Sequence, residues 1–497
     1  MTDDHIPVEP ARERGWKQTI RQPRIWIPAA GVALVAVVGG AIAATAGGGD
    51  SVAGPSGTAS PGPTVEAAGP STTITPSPTT SASVPPSATP SASPSWGDDE
   101  GFEAEPAACV PNGTIVATPK QSQSFVEPEP GSQTATYDGD GLTSFQTLGF
   151  SADDSRIALH AYNEGSEWIS IRRPSDLKEV AVYRSQYEAA VAWDNGHTKL
   201  AVATTDADDR LTVSVVNPSS GTASIVYSAD ETTAQSVAWS PDGKCLVLAA
   251  RWSGNLWNDD DPYIHAMTII DTATGNSSYL GNGISAVYSP SGDSIFFFGV
   301  DFMTDRIKLF QADAATGAAV ARSIGEGSTT DDVGHLPVNF SPDGAVGVYV
   351  EHPEQASANI KNIEGGGDGD GYLAKFPDAV ASMPVWNPDS RRVAYCTGWF
   401  ETGCDTVVIA DGYGGSVSVE ADTPEGWISS IRWTPDGESL VAGANTGKES
   451  AIYRFESGSW TRITDISAGY ASGPMVWSHD GSTVVWSLEH SLFVAHN

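Results

Sequence analysis

Basic residues are scarce in this sequence. It carries 26 lysines and arginines against 61 aspartates and glutamates, which leaves a formal net charge of -35 at pH 7. Proteins bind nucleic-acid phosphates mainly through lysine and arginine, so this balance excludes a nucleic-acid partner. An acidic surface keeps an exported protein soluble and attracts cationic partners or metal ions.

Cysteine is also rare, with four residues in 497, namely Cys109, Cys245, Cys396 and Cys404. There is no Cys-x-x-Cys pair and no Cys/His cluster, which disfavours a zinc site. An even number of cysteines predicts disulfides if this part of the chain lies outside the cytoplasm. We expect Cys396 to pair with Cys404 across a hairpin, and Cys109 with Cys245 as the weaker assignment, because spacing does not fix connectivity.

Recognisable catalytic motifs are missing as well. The sequence has no Gly-x-Ser-x-Gly nucleophile elbow, and its nine histidines include no His-x-His pair. A lone histidine such as His160 or His265 is expected to be structural rather than a metal ligand. The sequence therefore predicts no catalytic residues and no cofactor, with calcium as an open alternative taken up below.

Charged residues are absent from Ile25 to Ala46, a run of 22 residues preceded by five lysines and arginines. As a helix it would span about 33 Å, which matches the roughly 30 Å core of a bilayer. The basic residues on its N-terminal side predict a cytoplasmic tail over residues 1–24 and a single-pass transmembrane helix over 25–46. The alternative is a signal peptide cleaved after Ala44-Thr45-Ala46, which would release a secreted protein.

Residues 47–106 are rich in serine, threonine, proline, alanine and glycine and show no hydrophobic periodicity. Such a segment buries too little apolar surface to offset the entropy of ordering, so we expect a disordered linker. From residue 107 to 497 the pattern changes to short alternating runs of valine, isoleucine and aromatic residues between turn-forming residues. That pattern is typical of many short strands.

A motif resembling Trp-Ser-Pro-Asp-Gly recurs eight times in this region. Its aromatic residues are Phe150, Trp193, Trp239, Tyr288, Phe340, Trp386, Trp433 and Trp477. Their spacings of 43, 46, 49, 52, 46, 47 and 44 residues fit one four-stranded propeller blade each. Proline presets the first corner of a turn, aspartate bonds back to its own backbone and glycine accepts positive φ, so the motif predicts a tight hairpin.

One four-stranded sheet cannot bury both of its faces, whereas a ring of such sheets can. The repeats therefore predict an all-β fold, an eight-bladed β-propeller. The segment Ser132 to Asp138 precedes the first repeat, and the last repeat lacks a fourth strand. We expect this N-terminal strand to complete the last blade and close the ring. Seven blades is the alternative, because the Phe150 repeat lacks the glycine and the Trp193 repeat lacks the proline.

The consensus, plainest at Trp239 to Leu246 and Trp433 to Leu440, resembles the TolB-like, WD-repeat-like propellers of bacterial envelope proteins. The resemblance covers about residues 132–497. It implies a protein-binding platform with partners on one face or at the central funnel. A membrane anchor and a linker stand where TolB has an α/β domain, so the resemblance does not imply TolB's own partners.

Acidic residues crowd the segments expected between the second and third strands of each blade and between consecutive blades. In a propeller both kinds of connection emerge on the same face, where converging charges reinforce each other's field. The candidate binding residues are Asp206, Asp208, Asp209, Asp259, Asp260, Asp261, Asp301, Asp305, Asp331 and Asp332. They predict a site for a cationic peptide or for calcium, although none of these segments matches a full calcium-binding loop. Solvated acidic loops are the alternative.

The loop between Cys396 and Cys404 contains Trp399 and Phe400. Aromatic residues displayed on a disulfide-bonded loop are candidate anchors for a partner, because such residues dominate binding energetics. The alternative is that they pack against a neighbouring blade.

Three functions follow from the sequence. The first is a membrane-anchored extracytoplasmic propeller that binds a protein, a peptide or an envelope component and has no catalytic site. The second is a sensor that works through a membrane partner. The third is a propeller enzyme of the lactonase or lyase type, whose site the motifs do not reveal.

Overall fold

The structure is a computed structural model that describes most of residues 107–497. The residues it leaves out in that range are 114, 132–134, 139–143, 164–165, 231, 253–264, 284, 302–305, 317–321, 327–337, 352–356, 365–371, 378–379, 382–383, 399–403, 405, 414–416, 423–426, 446–448, 465–466, 469–474 and 489. The predicted tail, transmembrane helix and linker (1–24, 25–46 and 47–106) lie outside the described residues. Within the described part, no helix is long and apolar enough to cross a membrane.

The described residues form eight antiparallel sheets, which we number along the chain. Sheet 1 contains β2 (Ser144–Phe150), β3 (Ile157–Asn163), β4 (Ser166–Arg172) and β5 (Glu179–Ser185), and sheet 2 contains β6 (Ala190–Trp193), β7 (Leu200–Thr205), β8 (Leu211–Asn217) and β9 (Thr222–Ala229). Sheet 3 contains β10 (Thr232–Trp239), β11 (Cys245–Trp252), β12 (His265–Asp271) and β13 (Ser277–Asn282), and sheet 4 contains β14 (Ala286–Tyr288), β15 (Ser294–Asp301), β16 (Arg306–Asp313) and β17 (Arg322–Glu326). The all-β class expected from the sequence is confirmed in this part of the chain.

The remaining sheets follow the same order of strands. Sheet 5 contains β18 (Asn339–Phe340), β19 (Val346–Glu351), β20 (Ser357–Glu364) and β21 (Tyr372–Pro377), and sheet 6 contains β22 (Val380–Ala381), β23 (Val385–Trp386), β24 (Arg392–Gly398), β25 (Thr406–Asp411) and β26 (Val417–Asp422). Sheet 7 contains β27 (Trp427–Trp433), β28 (Leu440–Asn445), β29 (Glu449–Glu456), β30 (Ser459–Arg462) and β31 (Ser467–Ala468), and sheet 8 contains β32 (Val476–Trp477), β33 (Thr483–Leu488), β34 (Ser491–His496) and β1 (Ala135–Asp138). Every repeat predicted from the sequence, including those of Phe150 and Trp193, thus has its own sheet.

The repeated motif forms the turn between the first two strands of each sheet. In sheet 3, Oδ1 of Asp242 accepts hydrogen bonds from Oγ of Ser240 (2.7 Å) and from the amide of Lys244 (3.2 Å). The Ser240 hydroxyl in turn accepts from the amide of Cys245, and Gly243 adopts a φ of +67°. The hydroxyl and the carboxylate together satisfy the backbone of the turn, which explains why both residue types recur.

Three repeats lack glycine at the left-handed position of the turn, yet keep its conformation. Asp154, His197 and Ser390 occupy that position with φ of +55°, +52° and +60°. Short polar residues and histidine tolerate this region better than branched ones. The missing glycine of the Phe150 repeat therefore changes the residue at the corner without removing the turn.

The sheets pack against one another through apolar side chains on both of their faces. Between sheets 1 and 2, for example, Ile169 and Ile171 pack against Val191, Leu200 and Val202, all at most 9% exposed. Other clusters join sheets 2 and 3, 3 and 4, 5 and 6, 6 and 7, 7 and 8, and also 8 and 1. Consecutive antiparallel sheets that bury each other in this way are the blades of a β-propeller.

Three tryptophans of the motif, Trp239, Trp386 and Trp433, link their sheet to the one before it. Nε1 of Trp239 donates to the carbonyl of Ala192, and Nε1 of Trp433 donates to the carbonyl of Val385, at 3.0 and 3.1 Å. In both cases the acceptor directly precedes the equivalent aromatic residue of the neighbouring sheet. The repeated tryptophan thus contributes buried area and also a directional bond that aligns two sheets.

Strand β1 pairs antiparallel with β34, with Ala135 opposite Val494 and Asp138 opposite Ser491. The N-terminal strand is therefore the fourth strand of sheet 8, and its bounds fall within the predicted segment Ser132 to Asp138. The apolar side chains of sheet 8 pack on sheet 1, where Val485 and Leu492 contact Phe145 and Leu159. The beginning and the end of the described chain are thus joined by backbone pairing of β1 with β34 and by side-chain packing of sheet 8 on sheet 1.

Residues 107–127, which we call the entry segment, form no strand in the described part but cross the turns of several sheets. The amide of Val116 donates to the carbonyl of Pro241 in sheet 3. Further along, the amides of Ser122 and Val126 donate to the carbonyls of His479 and Gly481 in sheet 8. The segment therefore connects sheets 3 and 8 on the side of the molecule that carries the repeated turns.

Both disulfides have the pairing that we expect from the sequence. Cys109 is bonded to Cys245, and Cys396 is bonded to Cys404, with Cα–Cα distances of 5.7 and 5.6 Å. Cys245 is the first residue after the turn of sheet 3 and is fully buried. The first disulfide therefore ties the beginning of the entry segment to the core of sheet 3.

Candidate functional site

The strand order gives the propeller two different faces. The turn face carries the repeated motif, between the first and second strands of each sheet. The loop face lies at the other ends of the strands and carries the connections between second and third strands and between consecutive sheets. The entry segment crosses the turn face, which makes the loop face the candidate for a binding site.

Asp206, Asp208 and Asp209 lie on the loop face, in the turn between β7 and β8. Oδ1 of Asp206 accepts hydrogen bonds from the amides of Asp208 (2.9 Å) and Arg210 (3.1 Å). Asp209 adopts a φ of +58°, and its carbonyl accepts from the amide of Thr232. The carboxylate of Asp206 therefore holds its own turn together, and Asp206 and Asp208 are both exposed.

The other predicted acidic residues are only partly covered by the structure. Asp301 ends β15, paired with Arg306 in β16. Asp259, Asp260, Asp261, Asp305, Asp331 and Asp332 lie outside the described residues, as do Trp399 and Phe400. Among the residues described, no three histidine, cysteine, aspartate or glutamate side chains lie where they could hold a metal ion.

A cluster of polar side chains interrupts the apolar interface between sheets 1 and 2 where it reaches the loop face. His160 in β3 is 2% exposed, and its Nε2 lies 2.8 Å from Oε2 of Glu167 in β4. The same oxygen accepts a hydrogen bond from the amide of Ala189, the residue just before the first strand of sheet 2. Glu167 therefore bridges the two sheets.

Glu188 precedes Ala189 and is the second carboxylate of this cluster. Burial and the nearby charge of Glu167 raise the pKa of Glu188 to about 7, although Arg251 and a hydrogen bond from Gln235 act in the other direction. Gln235 is the extra residue of a bulge in β10, opposite no residue of β11. Bulges re-aim side chains, and this one directs the Gln235 amide toward Glu188 from sheet 3.

Gln146 in β2 completes the cluster. It is 2% exposed, and neither its Nε2 nor its Oε1 has a hydrogen-bond partner in the structure. It pairs directly with His160 in the neighbouring strand, so the two side chains project from the same face of sheet 1. That face packs on sheet 2, since Ala158 and Ile169 on it belong to the apolar core shared with sheet 2. We call Gln146, His160, Glu167, Glu188 and Gln235 the polar cluster.

The polar cluster was only partly visible in the sequence. His160 was expected to be structural, and Glu167 belongs to an acidic stretch after a predicted strand. Gln146, Glu188 and Gln235 were not anticipated. A buried glutamine within an otherwise apolar strand is a signal, because a buried polar group without a partner is costly. The role of such a glutamine depends on the sheet that packs against it, and the sequence does not identify that sheet.

Comparison with known proteins gives no family. No protein-family model matches the sequence, and no curated protein matches it.

Among solved structures, the chain resembles Sqt1 from Chaetomium thermophilum at 13% identity and a TM-score of 0.49, over 75% of this chain and 100% of that one. It resembles an oligogalacturonate lyase in complex with manganese at 14% identity and 0.47, over 68% and 98%. A prolyl endopeptidase matches at 14% identity and 0.45, over 62% and 49%. These likenesses assign no activity to this chain.

Proposed function

We propose that this protein is a membrane-anchored extracytoplasmic propeller that binds a protein, a peptide or an envelope component through its loop face, and that it is not an enzyme. In this proposal the eight sheets are eight blades, and pairing of β1 with β34 closes the ring. The TolB-like resemblance of the repeats belongs to the same proposal. Residues 25–46 serve as the anchor and residues 47–106 as the tether.

The observation that carries the proposal is the bond between Cys109 and Cys245. Cys109 follows the linker by three residues and is fixed at the turn face of sheet 3. The linker thus reaches the propeller on the turn face, and the loop face points away from the attachment. A tethered scaffold presents to partners the side that its tether leaves open.

Two further observations support the location and the role. Disulfides persist in oxidising compartments, and all four cysteines in the described residues are paired. The turn face is crossed by the entry segment, which hydrogen-bonds to the turns of sheets 3 and 8. The loop face carries the exposed Asp208 and the polar cluster, features suited to a partner with cationic groups.

Site-specific photo-crosslinking in intact cells tests this function. A photoreactive amino acid is placed at Asp208 on the loop face, and at Glu438, equally exposed on the turn face, as the matched control. We expect crosslinks to a partner from position 208 and few from 438, together with digestion of the propeller by protease added outside the cells. Equal crosslinking from both positions, or resistance to protease, would contradict the proposal.

A further inference from the structure

We propose that the polar cluster is the specificity site of the loop face and that it binds a primary ammonium group, that of a lysine side chain of the partner. This inference rests on the proposed function, because it names the chemical group that the scaffold recognises. It is carried by the position of the cluster, by the open acceptor atom of Gln146 and by the charge of the cluster.

The position is the first argument. Ile169, Ile171 and Ala158 fill the interface of sheets 1 and 2 with apolar contacts, but the same face then continues with Gln146 and His160. A propeller interface gains stability from apolar packing, and replacing that packing by uncompensated polar groups costs free energy. Glu167 is the second residue of β4 and Glu188 lies in the connection between sheets 1 and 2, so both carboxylates are at the loop-face end of the interface, and both are partly exposed.

An unused acceptor is the second argument. Both hydrogen bonds of Glu167 go to Oε2, from His160 and Ala189, and that of Glu188 also goes to Oε2, from Gln235. Among the described residues, no donor reaches Oε1 of the buried Gln146. This open amide oxygen belongs to the residue opposite His160, which contacts Glu167, and an ammonium group can donate its three N–H bonds to it and to nearby carboxylate oxygens.

Charge is the third argument. Glu167 and Glu188 lie close together, since Glu167 bonds to the amide of the residue after Glu188. The nearby cation is Arg251, which acts on Glu188 but whose buried Nε has no hydrogen-bond partner. Burial and repulsion between the two carboxylates raise the pKa of Glu188 to about 7. A second cation placed between the carboxylates relieves that repulsion.

Lysine fits this site better than arginine or a metal ion. Its ammonium is a compact point charge at the end of a thin stem, whereas the guanidinium is a planar fork with five donors. The described residues provide no three metal ligands in one place. A recessed group of oxygens that includes a neutral amide therefore suits an ammonium ion.

Calorimetry on the full-length chain, purified in detergent, tests the site directly. The probe is the peptide acetyl-Gly-Lys-Gly-amide, and its control replaces lysine by the uncharged norleucine. At pH 8 we expect the lysine peptide to bind at least about tenfold more tightly, the scale of one or two charge-assisted hydrogen bonds. Equal binding of the two peptides, or no binding of either, would overturn the assignment.

Variants separate the cluster from the general acidity of the face. Glu188→Gln removes one charge with little change of shape, and we expect it to weaken the lysine peptide about tenfold. Gln146→Leu removes one acceptor without burying a new polar group, and we also expect weaker binding in a protein that still folds. Glu438→Gln, on the turn face, serves as the control. If Asp208→Asn weakens binding as much as Glu188→Gln, a diffuse acidic field binds the peptide and the assignment fails.

The outcome is distinguishable from that of the proposed function. Loss of crosslinks in cells with intact lysine-peptide binding would count against the scaffold role and leave the site in place. Crosslinks from position 208 without any preference for lysine would overturn the site alone.

Discussion

Nε1 of Trp477 donates a hydrogen bond of 2.9 Å to the carbonyl oxygen of Val126. Trp239, Trp386 and Trp433 donate instead to the carbonyl of the preceding sheet. For Trp477 in sheet 8, the acceptor comes from the entry segment instead of the preceding sheet. Val126 is itself 8% exposed and packs in the apolar cluster shared by sheets 7 and 8. The entry segment is therefore part of a sheet interface as well as the segment that precedes the first strand.

Gly481 gives a test of this interface. It adopts a φ of +75°, and a Cβ there would collide with the carbonyl of Ser124 in the entry segment. We expect Gly481→Ala to lower the melting temperature and to expose residues 107–127 to limited proteolysis. Gly458 is the matched control, since it has a φ of +83° but open space around it. Gly458→Ala should cost only the backbone strain, about 1–2 kcal/mol. Similar protease sensitivity in both variants would contradict the role of the segment.

The two disulfides should contribute unequally to stability. They close segments with sequence separations of 136 and 8 residues. In the loop-entropy model these correspond to about 5 and about 2.5 kcal/mol. We expect the pair Cys109→Ala and Cys245→Ala to lower the free energy of unfolding in urea more than the pair Cys396→Ala and Cys404→Ala. An equal loss for the two pairs would mean that the long connection is already constrained in the unfolded chain.

Glu188 predicts a pH-dependent change in stability. Its pKa is raised from 4.5 to about 7, chiefly by burial and then by Glu167, while Arg251 and Gln235 oppose the change. A raised pKa means that the folded state binds the proton more tightly, so the contribution is present below pH 4.5 and is lost as the pH rises through 7. We expect Glu188→Gln to raise the melting temperature at pH 8 and to change it little near pH 4.5. An equal shift at both pH values would exclude titration of Glu188 as the cause.

Asp153, in the turn of sheet 1, predicts the opposite pH dependence of stability: its contribution is lost in acid. Burial alone would raise the pKa of Asp153, but hydrogen bonds from Ser151, Ser155 and Ser219 lower it to about 2. A lowered pKa means that the stabilisation is complete above the ordinary value of 3.8 and is lost as the pH falls toward 2. We expect Asp153→Asn to be less stable than the natural protein at pH 6, with the difference narrowing near pH 2. Calorimetry across this range measures it, and a constant difference would be the contrary result.

The repeat and the fold class could be predicted because they depend on local chemistry. The hairpin turn at Ser240 to Cys245 is specified by residues within six positions, and the strands around it by alternation. Even the Phe150 repeat, which lacks the glycine, folds as its neighbours do because Asp154 accepts the left-handed conformation. The pairing of the N-terminal strand also followed from counting, since one sheet was a strand short.

The path of the entry segment and the polar cluster could not be predicted. Residues 107–127 contain no strand pattern, and nothing local in them identifies sheet 8 as their destination. Gln146 lies in sheet 1, Gln235 in sheet 3 and Glu188 in the connection between sheets 1 and 2. A bulge in β10 that the sequence does not mark directs the side chain of Gln235. The acidic residues proposed from the sequence share a face by strand order, but charge alone did not distinguish Asp206, which stabilises its own turn, from an open ligand.

By itself the sequence determined the repeated sheets and the order in which they follow, because both depend on spacing and on chemistry within a few residues. Tertiary structure alone decided where the apolar interface between sheets 1 and 2 gives way to polar side chains, and that Trp477 bonds to the entry segment. Both depend on which surfaces meet across hundreds of residues. Such contacts form only when the sheets have packed together.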